Sequence, residues 1–131
     1  VDIAKIVEEK KLTKYIKLLG SRNDTVELYQ GMDAFFLPSF FEGLPVTGVE
    51  AQAMGLSMVV SDTVTREMVY TDLVDYVSLN DTPEAWASRL EIALRKNAKR
   101  EQYADRLKLS NFSNIGCGNR LEQVYCWWIN G

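Results

Sequence analysis

The chain has 131 residues, of which 47% are hydrophobic and 25% are charged, a composition typical of one globular domain with a single core. Its net charge of −3, from fifteen Lys and Arg against eighteen Asp and Glu, argues against a nucleic-acid partner and a strongly cationic membrane-binding face. The absence of histidine excludes imidazole metal ligands, imidazole general bases and a Ser-His-Asp triad from this chain.

The first half of the chain alternates predicted helices and strands. Asp2 is a good cap for a first helix that carries Ile3, Ile6 and Val7 on one face. The pair Val59-Val60 suits a central strand that is buried on both faces. This alternation predicts a single α/β domain over residues 1–131 with a Rossmann-like parallel sheet flanked by helices. The predicted helices are residues 2–11, 26–31 and 46–54, and the predicted strands are residues 15–19, 33–37 and 57–61.

The second half is predicted to be mostly helical. A loop with a short helix over residues 62–75 leads into a short edge strand at 76–79, and Thr82-Pro83 then starts a helix in which Trp86 belongs to the core. The basic run at residues 95–100 is interpreted as a solvated junction between helices, because acidic residues flank it.

The end of the chain is predicted to be an amphipathic helix. Gly116 and Gly118 indicate a turn before it, and its apolar face repeats at helical spacing. If part of its aromatic surface is uncovered, self-association through this helix is expected, although packing on the domain itself is an equally good interpretation. The residues of that face are Leu121, Val124, Tyr125, Trp127 and Trp128.

Two cysteines and the absence of long apolar runs bear on location. Cys117 and Cys126 form no CxxC pattern, which favours reduced, partly buried thiols over a metal site or a disulfide. No run approaches the roughly twenty apolar residues of a transmembrane helix, and no signal-peptide pattern is present. We therefore expect a cytoplasmic protein without a transmembrane segment, or one at the inner face of the membrane in its full-length form.

The strongest functional signal is a pair of glutamates with seven residues between them. Glu42 follows a buried strand and Glu50 lies about one turn inside the next helix, which Gly55 ends. Open α/β sheets bind ligands where the strands end and the following helices offer free amides for anions. A phosphate on the helix end, with carboxylates for hydroxyl groups, describes a nucleotide-sugar site. Taken alone, a glutamate in the first turn of a helix more often only complements the helix dipole.

An ordered set of short motifs gives this pair more weight. Over residues 18–82 the chain resembles the C-terminal, donor-binding domain of retaining GT-B glycosyltransferases of the group 1, E-x7-E family, the capsular and exopolysaccharide type. The matching residues are Leu18-Leu19-Gly20-Ser21-Arg22, Leu28-Tyr29, Met32 through Ser39, Glu42-Gly43, Glu50-Ala51, Ala53-Met54-Gly55 and Val59 through Thr63.

The resemblance implies a role for each site residue. Glu42 would contact the transferred sugar as the catalytic residue, and Glu50 would hold the ribose hydroxyls of the donor. The amides of the loop between them would meet the diphosphate, although Pro45 has no N–H to donate. These loop residues are Gly43, Leu44, Val46 and Thr47, and the nucleobase would be read at Gly20, Ser21 and Arg22.

The resemblance also implies what lies outside these 131 residues. In the family, a first strand and its loop precede the first helix and carry the Arg and Lys that grip the diphosphate, and an N-terminal domain binds the acceptor. We therefore expect the isolated chain to bind a nucleoside diphosphate weakly and to catalyse nothing by itself.

The leading prediction is transfer of a sugar from a nucleoside diphosphate sugar to a glycan or lipid-linked acceptor, with retention and without a metal or another cofactor. UDP is the default donor nucleotide, and no Asp-x-Asp pair suggests a divalent ion. Two alternatives stay open: a nucleotide-sugar epimerase of the same architecture, and a non-catalytic interaction module that uses the aromatic final helix.

Overall fold

The computed structural model describes residues 2–96 and 99–130, without the side chains of residues 124, 125 and 127–130. The three strands are β1 (Ala34–Leu37), β2 (Ser57–Ser61) and β3 (Val74–Val77), and a short 3₁₀ turn at Arg66–Met68 lies between β2 and β3. The helices are α1 (Ile3–Glu9), α2 (Thr25–Gly31), α3 (Val46–Ala53), α4 (Pro83–Arg95), α5 (Glu101–Leu109) and α6 (Asn114–Asn130).

The three strands form one parallel sheet in the order β1-β2-β3. Phe36 of β1 pairs with Val59 of β2, and Val60 of β2 pairs with Tyr76 of β3. All five residues of β2 are buried, as expected for a central strand with helices on both of its faces. The predicted central strand is therefore confirmed at both ends, whereas the edge strand β3 begins two residues earlier than predicted.

Helices cover both faces of the sheet. Because side chains alternate along a strand, Met58 and Val60 pack on the side of α2 and α3, whereas Val59 packs with Trp86 on the side of α4. Trp86 lies in the core, as predicted. Its indole N–H donates to the Ser78 carbonyl at 3.1 Å, which satisfies its polar atom. The described part of the chain is thus a Rossmann-like parallel α/β fold, and the predicted fold class is confirmed.

The predicted strand at residues 15–19 is wrong. The amides of Tyr15 and Ile16 both donate to the Leu12 carbonyl, at 2.8 and 2.9 Å, so the segment begins as a turn. The side chain of Tyr15 is 77% exposed, and those of Leu18 and Leu19 are about half exposed. A strand needs a hydrogen-bonded neighbour, and this segment pairs with none of the three strands in the described chain.

Gly55 ends α3 as predicted. Its φ of 68° is left-handed, its N–H donates to the Gln52 carbonyl, and the Leu56 N–H reaches back to the Ala51 carbonyl, both at 3.0 Å. This hydrogen-bond pair is the Schellman motif, which satisfies the last carbonyls of a helix. A Cβ at position 55 would lie 2.7 Å from the Arg100 Cα, so both conformation and space require glycine.

The turn predicted at Gly116 and Gly118 is wrong, because α6 already begins at Asn114. The Ser113 hydroxyl accepts from the Gly116 N–H at 2.9 Å, and the Ser113 carbonyl accepts from the Cys117 N–H at 2.9 Å. This serine caps the helix and helps to offset the low helix propensity of the two glycines.

The cysteines also differ from the prediction of partly buried thiols, since Cys117 and Cys126 are both exposed. Both lie on α6, whose first turns leave Ile115 and Leu121 exposed as well. The side chains of Tyr125, Trp127 and Trp128, on which the self-association prediction depends, lie outside the described residues.

The basic run after α4 behaves as a junction where it is described. Lys96 forms an ion pair with Asp75 at 2.9 Å, and the Arg100 guanidinium donates to the carbonyls of Gln30, at 3.1 Å, and Met32 at the end of α2. Within the described residues, no helix is long and apolar enough to cross a membrane.

Candidate functional site

Glu42 is held at the carboxyl edge of the sheet by a short chain of hydroxyl groups. The Ser39 hydroxyl donates to Glu42 Oε1 at 2.8 Å. The Ser39 carbonyl in turn accepts from the hydroxyls of Ser61 and Thr63, the latter at 2.9 Å. Because Ser61 ends β2 and Ser39 follows β1, the ends of two parallel strands fix the loop that carries Glu42. Sequence reasoning did not predict these contacts.

The N-terminus of α3 opens beside this loop. Pro45 is its N-cap and makes no side-chain capping bond, while its carbonyl accepts from the Gly48 N–H at 2.9 Å. The amides of Val46 and Thr47 precede the first intrahelical bond and so have no acceptor within the helix. They carry the positive end of the helix dipole, which favours an anion at this position.

Gly43, the first residue of the predicted phosphate loop, is glycine for no reason within the fold. A Cβ there would meet no atom within 4 Å, and its φ is not left-handed. The fold itself therefore leaves room for a side chain at this position.

Glu50 lies on α3 and is held from a different direction. Its Oε2 accepts a hydrogen bond from the Tyr29 hydroxyl at 3.0 Å. Tyr29 is only 6% exposed, and its ring packs against Phe35 of β1 with centroids 6.0 Å apart. Burial, followed by the bond to Glu50, raises the pKa of Tyr29 to about 12. The hydroxyl therefore keeps its proton at physiological pH and acts as a hydrogen-bond donor.

A cavity of about 280 Å³ lies beside the Tyr29 and Glu50 pair, near the lower end of the usual range for small-molecule pockets, about 300–1,000 Å³. Its other walls are apolar side chains of α2, α3, α5 and the segment after α5. The lining residues are Val26, Tyr29, Val46, Val49, Glu50, Ala53, Met54, Leu107 and Phe112. Glu42 is not among them, so the two glutamates border different parts of this edge.

The predicted nucleobase residues lie apart from that cavity. Gly20, Ser21 and Arg22 are exposed and line none of its walls, and Gly20 has a left-handed φ of 65°. Both guanidinium contacts of Arg22 go to Asp24, with Nε at 2.7 Å from Oδ1. That ion pair holds the pKa of Asp24 below its usual value. To bind a phosphate, Arg22 would first have to leave Asp24.

Gln52 lies on α3, the helix that carries Glu50, and sequence reasoning did not predict its role. Its fully buried amide donates to the carbonyls of Gly48 and Met68 at 3.0 and 2.9 Å. Its carbonyl oxygen accepts from the Tyr70 N–H at 3.2 Å and the Thr71 hydroxyl at 2.9 Å. The side chain thereby joins α3 to the connection between β2 and β3. The available signal was a polar residue between Ala51 and Ala53 on a helix of small residues.

Comparison with known proteins shows which family the chain resembles. The family model described as "Glycosyl transferases group 1" matches residues 2–96. EpsF of Bacillus subtilis (strain 168), which carries the provisional name of a glycosyltransferase, is 31% identical over 103 residues, 78% of this chain and 27% of that protein.

Two further relatives have names that state a reaction. The N,N'-diacetylbacillosaminyl-diphospho-undecaprenol alpha-1,3-N-acetylgalactosaminyltransferase of Campylobacter jejuni is 53% identical over 47 residues, 36% of this chain and 12% of that protein. The UDP-Gal:alpha-D-GlcNAc-diphosphoundecaprenol alpha-1,3-galactosyltransferase of Escherichia coli is 45% identical over 51 residues, 39% of this chain and 13% of that protein.

In all three cases the matched part is less than a third of the relative's length. The match of the family model, in contrast, covers most of the 131 residues. The chain therefore belongs to the group 1 family of glycosyltransferases.

Proposed function

We propose that this chain forms the donor-binding part of a retaining glycosyltransferase that moves a sugar from a nucleoside diphosphate sugar to a lipid-linked glycan acceptor. The observation that carries the proposal is the arrangement around α3. Its open N-terminus lies between Glu42, held by Ser39, and Glu50, held by Tyr29.

The N-terminus of α3 suits the diphosphate. Charge on the leaving nucleoside diphosphate grows as the bond from the sugar's anomeric carbon to the phosphate oxygen breaks. Amides of Val46 and Thr47, and of the loop at Gly43 and Leu44, would face that charge without needing to reorient. Two glutamates beside a diphosphate weaken its binding, so we expect low affinity unless basic groups from elsewhere in the full protein contribute.

The two carboxylates suit hydroxyl groups. Glu50 has lone pairs left on Oε1 and Oε2 after accepting from Tyr29, and neighbouring ribose hydroxyls could donate to them. Glu42, whose Oε1 already accepts from Ser39, would contact the sugar and favour positive charge at the anomeric carbon during transfer.

The relatives support the acceptor class and the stereochemistry. Two of them are named for lipid-linked diphosphoundecaprenol substrates and for alpha-1,3 transfer, and one name includes UDP-Gal. An α product from an α-linked donor is the outcome of retention. We therefore propose UDP-sugars as donors and a lipid-linked glycan at the cytoplasmic face of the membrane as the acceptor of the full protein. The family assignment favours this transfer over the epimerase alternative.

Calorimetric titration of the chain with UDP, GDP and ADP tests the proposal. We expect one nucleotide to bind weakly and Glu50→Ala to reduce its affinity at least tenfold, the effect of losing charge-assisted hydrogen bonds of about 1.5–3 kcal/mol. Glu42→Ala should spare the nucleotide and weaken only the intact nucleotide sugar.

Glu84→Ala is the matched control. Glu84 is an exposed glutamate in the first turn of α4, so this variant removes the same type of side chain from a helix on the other face of the sheet from α3. If no nucleotide binds to a folded sample, or if Glu84→Ala weakens binding as much as Glu50→Ala, the donor-site proposal is wrong for this chain. The interaction-module alternative would then be tested next.

A further inference from the structure

The hydrogen bond from the Tyr29 hydroxyl to Glu50 has a consequence for ligand choice that goes beyond the proposed function. Tyr29 and Glu50 are 21 residues apart in the sequence, and the fold brings the phenol of α2 to the carboxylate of α3. The Tyr29 ring is held against Phe35, so it cannot turn away without leaving the core. An exposed carboxylate is thus tied, at one of its two oxygens, to a buried and rigid donor.

The cavity beside the pair offers Glu50 one polar side-chain partner, which is Tyr29. Of its nine lining residues, only Tyr29 and Glu50 have polar side chains. A glutamate on a helix surface ordinarily samples several rotamers, and fixing one of them on ligand binding costs entropy. A bond already present in the free protein removes part of that cost.

We propose that Tyr29 is a positioning residue that aims the Glu50 carboxylate at the ribose of the donor and so sets the preference for ribonucleotides over deoxyribonucleotides. The inference rests on the proposed function. Tyr29 engages Oε2, which leaves Oε1 and the second lone pair of Oε2 free to accept from a ligand at the cavity that Glu50 lines. A ligand with two adjacent hydroxyls can use them, whereas a ligand without these hydroxyls leaves a partly desolvated carboxylate unmatched.

The chemistry of the phenol supports this role. Because burial and Glu50 raise the pKa of Tyr29 to about 12, the hydroxyl keeps its proton across the working range of the protein. It therefore donates to the carboxylate at any physiological pH, and the orientation of Glu50 does not depend on a titration.

The test compares Tyr29→Phe with the unaltered chain. Affinities for UDP and 2′,3′-dideoxy-UDP are measured by calorimetry, or those for the corresponding pair of another base if that base binds better. We expect the affinity for UDP to fall about fivefold and the affinity for the dideoxynucleotide to stay unchanged. The discrimination, which is the ratio of these two affinities, should therefore fall about fivefold. In a Glu50→Ala background, Tyr29→Phe should change neither affinity.

Tyr70→Phe is the matched control, because the Tyr70 hydroxyl donates to the Val49 carbonyl of the same helix at 2.9 Å without touching Glu50. It should leave the discrimination unchanged. An equal loss of affinity for both nucleotides in Tyr29→Phe would overturn the inference, since a general packing defect affects both alike. An unchanged affinity for UDP would overturn it as well.

Glu50→Asp provides a second variant if Tyr29→Phe does not fold. It keeps the charge at an exposed position but withdraws the carboxylate from Tyr29, and it should lose discrimination too. Retention of the original ratio by Glu50→Asp would contradict the inference. If the folded, unaltered chain binds no nucleotide, the proposed function fails and the inference falls with it. If it binds and Tyr29→Phe keeps the ratio, the inference alone fails.

Discussion

Replacing Gln52 with leucine should strongly destabilise the fold, although the two side chains are similar in size. Gln52 is fully buried and makes four hydrogen bonds. In the variant, the Gly48 carbonyl still accepts the helical hydrogen bond from the backbone N–H of residue 52, four positions later. The Met68 carbonyl, the Tyr70 N–H and the Thr71 hydroxyl lose a partner.

The magnitude follows from the burial of these three groups. An unpaired buried polar group costs about 1–3 kcal/mol. Met68 is fully buried, so its carbonyl should bear a cost of that order. Tyr70 and Thr71 are half-buried, and water can restore part of their hydrogen bonding. We therefore expect a total loss of about 2–4 kcal/mol, a large share of the roughly 5–15 kcal/mol by which domains are stable.

Urea and thermal unfolding followed by circular dichroism measure this loss. For a chain of this length, the melting temperature should fall by roughly 8–16 °C. Gln102→Leu is the matched control, since Gln102 is exposed on α5 and its loss should change stability by less than about 0.5 kcal/mol. A loss below about 1 kcal/mol in Gln52→Leu, with an unchanged urea slope, would refute the argument that this amide joins α3 to the connection between β2 and β3.

Two further predictions concern backbone conformation and pH. Gly55→Ala should destabilise the fold by about 1–3 kcal/mol, because it puts a Cβ at a left-handed φ and 2.7 Å from the Arg100 Cα. Gly43→Ala is the control, since a Cβ at that position meets no atom within 4 Å. Equal melting temperatures of the two variants would contradict the expectation. Tyr29 and Tyr70 both have a pKa raised to about 12 from 10.0, so the stability that they contribute is fully present below pH 10 and is lost as the pH rises toward 12. Urea unfolding at pH 9, 10.5 and 11.5 should show a steeper loss in the unaltered chain than in the Tyr29→Phe, Tyr70→Phe double variant, and parallel losses would count against this assignment.

Local signals explain which elements the sequence predicted correctly. The apolar run at β2, the left-handed glycine after α3 and the Thr82-Pro83 start of α4 each act within a few residues. Such signals need no knowledge of what lies across the fold.

The failed strand at residues 15–19 shows the limit of that reasoning. An apolar run states a preference for burial, but a strand also needs a neighbouring strand, and sequence pattern does not show whether one is present. The prediction of a turn at Gly116 failed because the Ser113 hydroxyl accepts from the Gly116 N–H and caps the helix.

The sequence named candidate site residues but not the contacts that hold them. Glu42 and Glu50 were found from their spacing and the surrounding motifs, and their roles stay predictions. The bonds that hold them, from Ser39 and Tyr29, and the buried amide of Gln52 could not be predicted. The Tyr29–Glu50 bond and the Gln52–Met68 bond join residues 21 and 16 positions apart, where no local pattern points from one partner to the other.

The separate anchoring of the two glutamates has a consequence for protein engineering. Glu42 is fastened through Ser39 to the ends of the strands, whereas Glu50 is fastened through Tyr29 to α2. Substitution of the Tyr29 hydroxyl should thus alter the orientation of Glu50 while the Ser39 hydrogen bond to Glu42 stays in place. The two carboxylates thus have different hydrogen-bond partners, so selection for a new ligand could act on one partner at a time.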